Sequence, residues 1–277
     1  MNPNEKGWIR RFTPIQRLSH LMLILLFLAQ GATGLARLYI ETAWGRSLAG
    51  IFGGYATAGT IHKVVGILML LAFSAHFLYM LAKIDWKRVP RMLLEPDSLV
   101  PNPRDIKDFF LHIGWFLHVT KAPRFDRWGY WEKFDYWAVF WGIPVLGITG
   151  LLLISPVFTS LFFPGWVLNV ALWVHRIESI LAMAHVFIIH FFIGHLRRHS
   201  FPMDLAMFEG AVSLESARHE KGVWIERLES SGKLRQALVP RASRGFRAAC
   251  YFFGYAAMAT GLFLLIGGLL NSTSITW

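Results

Sequence analysis

Five stretches of the chain are apolar for long enough to cross a bilayer as helix, which takes roughly 20 residues. They lie near residues 15–36, 60–83, 134–154, 171–196 and 246–270. Between them the pattern breaks. Residues 84–133 begin with the turn-rich "RVPRMLLEPDSLVPNPRD", whose four prolines forbid a continuous helix. In the following "DIKDFFLHIGWFLHV", Phe109, Phe110, Ile113, Phe116 and Leu117 recur at helical spacing. An amphipathic helix lying in the membrane interface is expected there, with His112 and His118 at headgroup level. The mixed-charge "MDLAMFEGAVSLESARHEKGVWIERL" reads as helix on the same side of the membrane. No internal repeat and no low-complexity tract stands out. The pattern predicts an all-α membrane protein: a four-helix transmembrane bundle within residues 1–245, with loops 84–133 and 197–245, then a fifth helix and short tail over 246–277.

A mean hydropathy of +0.43 fits that class. The first apolar segment reads as a membrane helix rather than a cleaved leader, because Arg17 and His20 lie inside its leading edge. A net charge of +11 raises the question of nucleic acid, but its distribution answers it. Ten Lys/Arg fall between Lys83 and Lys133 and nine between Arg197 and Arg244, whereas residues 155–170 and the tail after Leu270 have none. Positive loops stay cytoplasmic. The expected protein is therefore multi-pass in a bacterial inner membrane, N-terminus cytoplasmic and C-terminus periplasmic, touching lipids and no nucleic acid. The lone Cys250 excludes a disulfide framework, an iron–sulfur cluster and covalent c-type haem.

Histidines are the exception to this apolar pattern. The stretch from Trp173 to His199 carries five of them. His175 and His190 are 15 residues apart, so on an α-helix they differ by about 60° in direction and about 22 Å in height. His62 and His76, 14 apart in the second segment, differ by about 40° and about 21 Å. Both segments run from outside to inside, so His62 is level with His175 and His76 with His190. A b-type haem needs two axial imidazoles from facing helices and an apolar slot, and with both axial positions filled it carries electrons. Two stacked haems would carry them across the bilayer. Gly31, Gly34, Gly66, Gly147 and Gly150 would let a porphyrin approach the backbone. A lone intramembrane histidine is more often a polar contact or part of an ion path; two pairs matched in height favour haem. The competing reading is a haem-free anchor or a transporter, which would more naturally show broken helices or repeats. His185 lies about 140° from His190 and is expected to point away from the haem seam. His195 and His199 fall beside Arg197 and Arg198 at the inner interface.

The motifs, taken in order, resemble the gamma (cytochrome b) subunit of respiratory formate dehydrogenases, with hydrogenase-type cytochromes b as looser relatives. The likeness covers most of residues 8–230. "IRRFTPIQRLSHLMLILLFLAQGATGL" resembles the start of that family's first helix, with Arg17 and His20 as its Arg-x-x-His; "WEKFDYWAVFWGIPVLGITGLLLISPVFTSLFFP" is similar to its third helix and outer loop; "VHRIESILAMAHVFIIHFFIG" is similar to its fourth, although His175 and His190 are one residue further apart than the family's usual pair.

The resemblance implies a diheme subunit of a quinone-linked oxidoreductase complex, passing electrons between the quinone pool and a periplasmic partner. That partner would carry c haems, iron–sulfur clusters or molybdenum. His62 and His175 would hold the outer haem. For the inner one the family uses the first-helix histidine, here His20, opposite His190, with Arg17 beside it, whereas spacing favours His76; both are ligands if there are three haems. Lys133, Asp135 and Trp131, with His20 as an alternative, would line a quinone site, although the family's asparagine falls on Gly129. The fifth helix lies outside the family pattern. Its Gly254, Ala257, Gly261, Gly267 and Gly268 suit close packing, against another membrane subunit among other partners.

Overall fold

The computed structural model describes residues 7–89, 91–197 and 200–275, so Arg198 and His199 lie outside the described residues. In chain order the helices are α1 (Pro14–Leu38), α2 (Ala43–Ile51), α3 (Tyr55–Lys83), α4 (Pro103–Phe116), α5 (Tyr130–Ile154) and α6 (Pro156–Ser160), then α7 (Gly165–Ala184), α8 (Ala206–Glu209), α9 (Leu214–Glu220), α10 (Gly222–Ser230), α11 (Leu234–Ala237) and α12 (Arg244–Leu270). Beyond Ala184, α7 continues as two π-helical turns, His185–His190 and Phe192–Leu196. Five of these helices are long and apolar enough to span a membrane: α1, α3, α5, α7 with its π turns, and α12. The architecture is all-α but for a small ribbon of three strands, β1 (Trp8–Arg10), β2 (Ala211–Ser213) and β3 (Leu238–Val239).

The chain divides into two compact units. One comprises the described residues of Met1–Arg17, Met80–Val139 and Leu205–Cys250. Its ribbon is ordered β2-β1-β3 with antiparallel pairing, Ile9 facing Val212 and Leu238. Beneath it Ile9, Leu214, Ala217, Trp224, Ile225 and Leu234 form a core. The amphipathic helix predicted from Phe109 to Leu117 is α4, which begins at a capping box of Asn102 and Asp105. Asp105 also holds Lys133, Nζ to Oδ2 2.9 Å. At the start of α5, Glu132 accepts from Arg11, from Lys221 Nζ at 2.6 Å and from Gly129 N at 2.7 Å. Lys221 is only 2% exposed, so this arrangement satisfies a cation that would otherwise be buried alone.

The other unit comprises the described residues of Leu18–Tyr79, Phe140–Asp204 and Tyr251–Trp277, and it contains the histidine-bearing parts of α1, α3 and α7. In it α12 packs closely. A Cβ on Gly261 would sit 2.7 Å from Phe187 and 2.9 Å from Phe191, and one on Gly267 would overlap the Trp44 indole. Tyr39 donates to Gly268 O at 2.9 Å. Gly261 and Gly267, expected to suit a partner helix, are thus filled by this chain's own rings.

A paired-histidine candidate site

On α1, His62 of α3 is met by two consecutive residues. Thr33 Oγ1 lies 3.0 Å from His62 Nδ1, and a Cβ on Gly34 would sit 3.3 Å from His62 Cε1. On α5, His175 of α7 is met in the same way: Thr149 Oγ1 lies 3.0 Å from His175 Nδ1, and a Cβ on Gly150 would sit 3.4 Å from His175 Cε1. The shared signal is the five-residue string Gly31-Ala32-Thr33-Gly34-Leu35, repeated as Gly147-Ile148-Thr149-Gly150-Leu151. It is an internal repeat too short to stand out in the sequence until each copy is seen holding a histidine of the next membrane helix.

The threonines settle which nitrogen carries the proton. Each hydroxyl donates to the carbonyl one turn earlier, Thr33 to Ala29 O at 2.6 Å and Thr149 to Val145 O at 2.7 Å. With its proton so used, the oxygen accepts from the imidazole, so Nδ1 bears the hydrogen and Nε2 presents a lone pair. Gln30 Nε2 donates to His62 O at 2.8 Å, and Gly66 leaves room for that amide, since a Cβ there would sit 3.0 Å from it.

The ring centres of His62 and His175 are 6.2 Å apart, with planes at 77°. His20 of α1 and His190 form a second pair, 6.4 Å apart with planes at 47°. Two imidazoles bonded end-on to one metal, each at about 2.0 Å and with its ring centre about 1.1 Å behind the nitrogen, stand about 6.2 Å apart. Both pairs fit that spacing, and neither stacks face to face. Among the described residues no three His, Cys, Asp or Glu group to hold a bare ion. A two-imidazole site instead suits a metal that brings its own equatorial ligands.

His76 is placed differently, with its ring 6.1 Å from Phe140, itself packed by Phe73 and Phe77. The π turns bear on the histidines at the end of α7. Their i→i+5 hydrogen bonding widens the turn to about 4.4 residues, so positions five apart differ by about 50° rather than 140°. His195 is brought beside His190 with ring centres 6.2 Å apart, and its Nδ1 is buried without a hydrogen-bond partner among the described residues.

The remaining residues singled out in the sequence fall in the first unit. Arg17 packs on Gly210, where a Cβ would sit 2.9 Å from Arg17 Cδ, and over the Phe246 ring at 5.9 Å. Lys133 is tied to Asp105. Trp131 lies edge-on to Phe125 at 4.6 Å with Lys221 Nζ over its face at 4.7 Å. Asp135, two residues on from Lys133 in α5, is half-buried.

No family model matches the chain. Its sequence is similar to the formate dehydrogenase, cytochrome b556 subunit, of Haemophilus influenzae, with 25% identity over 252 residues covering 87% of this chain and 91% of that protein. The identity is modest but runs nearly end to end, and it supports the cytochrome b subunit family that the order of motifs resembles.

Proposed function

We propose that this chain, alike over most of its length to a formate dehydrogenase cytochrome b subunit, is a membrane electron-transfer cytochrome with two b haems. The observation carrying this reading is the pair of 6.2 and 6.4 Å imidazole separations, with Nδ1 of His62 and His175 tied down and Nε2 available. A bis-imidazole haem supplies a one-electron couple and leaves no site for oxygen. His62 and His175 hold the outer haem. His20 and His190, whose rings approach to 6.4 Å from two different helices, hold the inner one. Thr33 and Thr149 orient the outer ligands, and Gly34 and Gly150 keep the space beside them clear of side chains. Along α1, Thr33 and His20 are 13 residues apart, so the two ligand levels are separated by about 20 Å.

At the inner level His195, with its unpartnered Nδ1, is the residue best suited to bond a quinone head group, because a neutral imidazole both donates and accepts. Lys133 and Trp131 support that role less well, being engaged by Asp105 and Lys221. At the outer level, Phe158, Phe162 and Phe163 line an exposed apolar groove of about 310 Å³ together with Ile148 and Leu151. Such a surface favours docking of a periplasmic redox subunit. The inner membrane and the inward N-terminus follow from the charge partition among loops.

Ligand substitution tests the assignment. His20→Ala in detergent-purified protein is expected to lose one haem of two, while His76→Ala keeps both. The reverse result would transfer the inner haem to His76. A protein that folds and binds no haem would favour the anchor or transporter reading.

A further inference from the structure

Arg37 sits in the last turn of α1, four residues beyond Thr33. Its guanidinium lies so close to Gly59 of α3 that any Cβ there would overlap Nη1. It also rests on the Tyr55 ring, Cζ 4.9 Å from the centroid. The residue is half-buried, and among the described residues no carboxylate pairs with it. A guanidinium brings five donors and a fixed charge, and partial burial without an anion is costly.

The internal repeat gives a control. The second copy has the same Gly-x-Thr-Gly-Leu scaffold and the same histidine contact, yet Leu153, Leu172 and Leu168 stand at the positions equivalent to Arg37, Gly59 and Tyr55. Holding a histidine therefore requires none of the three. The arginine, the glycine that admits it and the aromatic that supports it form a separate seat, present on one side of the His62–His175 pair.

We propose that this seat binds a carboxylate, namely a propionate of the haem held by His62 and His175, through charge-assisted hydrogen bonds from Arg37. The proposal rests on the haem reading above. Redox potentiometry of the purified haem-loaded protein tests it. Taking away the cation stabilises the oxidised haem, so Arg37→Gln is expected to move the outer haem to a lower midpoint potential and leave the inner one unmoved. Arg37→Lys, which keeps the charge, should recover most of the shift. Gly59→Val, which keeps the arginine but displaces it, should shift the outer haem in the same direction as Arg37→Gln. Arg37→Gln should also weaken retention of native haem at the outer site, while retention of haem dimethyl ester, whose propionates are uncharged, should not differ between wild type and Arg37→Gln. Unchanged outer-haem potentials in Arg37→Gln and Gly59→Val overturn the proposal. A difference that survives the ester assigns the seat to another anion, such as a lipid phosphate, and overturns it too. A wild-type protein without haem overturns the parent reading instead, so the two failures are distinguishable.

Discussion

At Thr33 and Thr149 a single hydroxyl does two jobs, donating to its own helix and accepting from a neighbouring histidine. A partner of this kind fixes the tautomer and aim of a metal-binding imidazole, and its loss typically weakens metal binding about 10- to 100-fold. Thr33→Val, nearly isosteric, is therefore expected to weaken retention of the outer haem by about that factor. Thr33→Ser should restore it, as read by haem titration of the apo-protein. Lys221 has a different role. Burial holds its ammonium down at about 8, against the opposing pull of Glu132. Between pH 8 and the ordinary lysine value of 10.5 the folded chain releases a proton that the unfolded chain keeps. Folding stability gains a rising slope with pH across that window. Lys221→Met should lack the slope in thermal unfolding followed from pH 7 to 10.5. A slope equal to that of wild type would contradict the account of Lys221.

Among the elements, the π turn from His185 to His190 is the feature that an α-helical reading of the sequence could not supply. A constant 100° per residue places His190 and His195 about 140° apart, whereas the structure sets their rings 6.2 Å apart. A π turn absorbs one additional residue within a helix, and His175 and His190 are one residue further apart than the resemblance leads one to expect. Deleting Ile189, which is exposed in that turn, is accordingly expected to return it to α geometry and to keep both haems. Inserting an alanine after Ile189 should cost the inner haem alone, scored by pyridine haemochrome. Loss of the inner haem on deletion would show that the π geometry itself is required. The other elements differ in how well the sequence reveals them. The five long helices are legible because bilayer-length apolar runs have few competing explanations, and α4 because its ring spacing and cap agree. The strands β1, β2 and β3 are two or three residues long, below any periodicity, and pair residues more than 200 positions apart. Helix α2 hides in a loop whose pattern is too short to read.

For the molecule as a whole, the vertical matching of His62 with His175 was legible from spacing alone, because both helices keep α geometry as far as those residues. The approach of His20 to His190 was not: spacing points to His76, while the structure sets the His20 and His190 rings 6.4 Å apart from two different helices, a proximity that no one-dimensional pattern contains. The quinone-site residues suggested by resemblance, Lys133 and Trp131, fall into an ion-paired, ring-packed unit, where buried contacts with Asp105 and Lys221 engage them. If two imidazole pairs hold two b haems in one chain, composition must show it. Haem b per chain in purified protein, quantified by pyridine haemochrome beside dithionite-reduced minus oxidised spectra, tests it most directly. The predicted result is two low-spin haems per chain, falling to one in His62→Ala. A folded, haem-supplied protein with none, or with a count unchanged by His62→Ala, would contradict it.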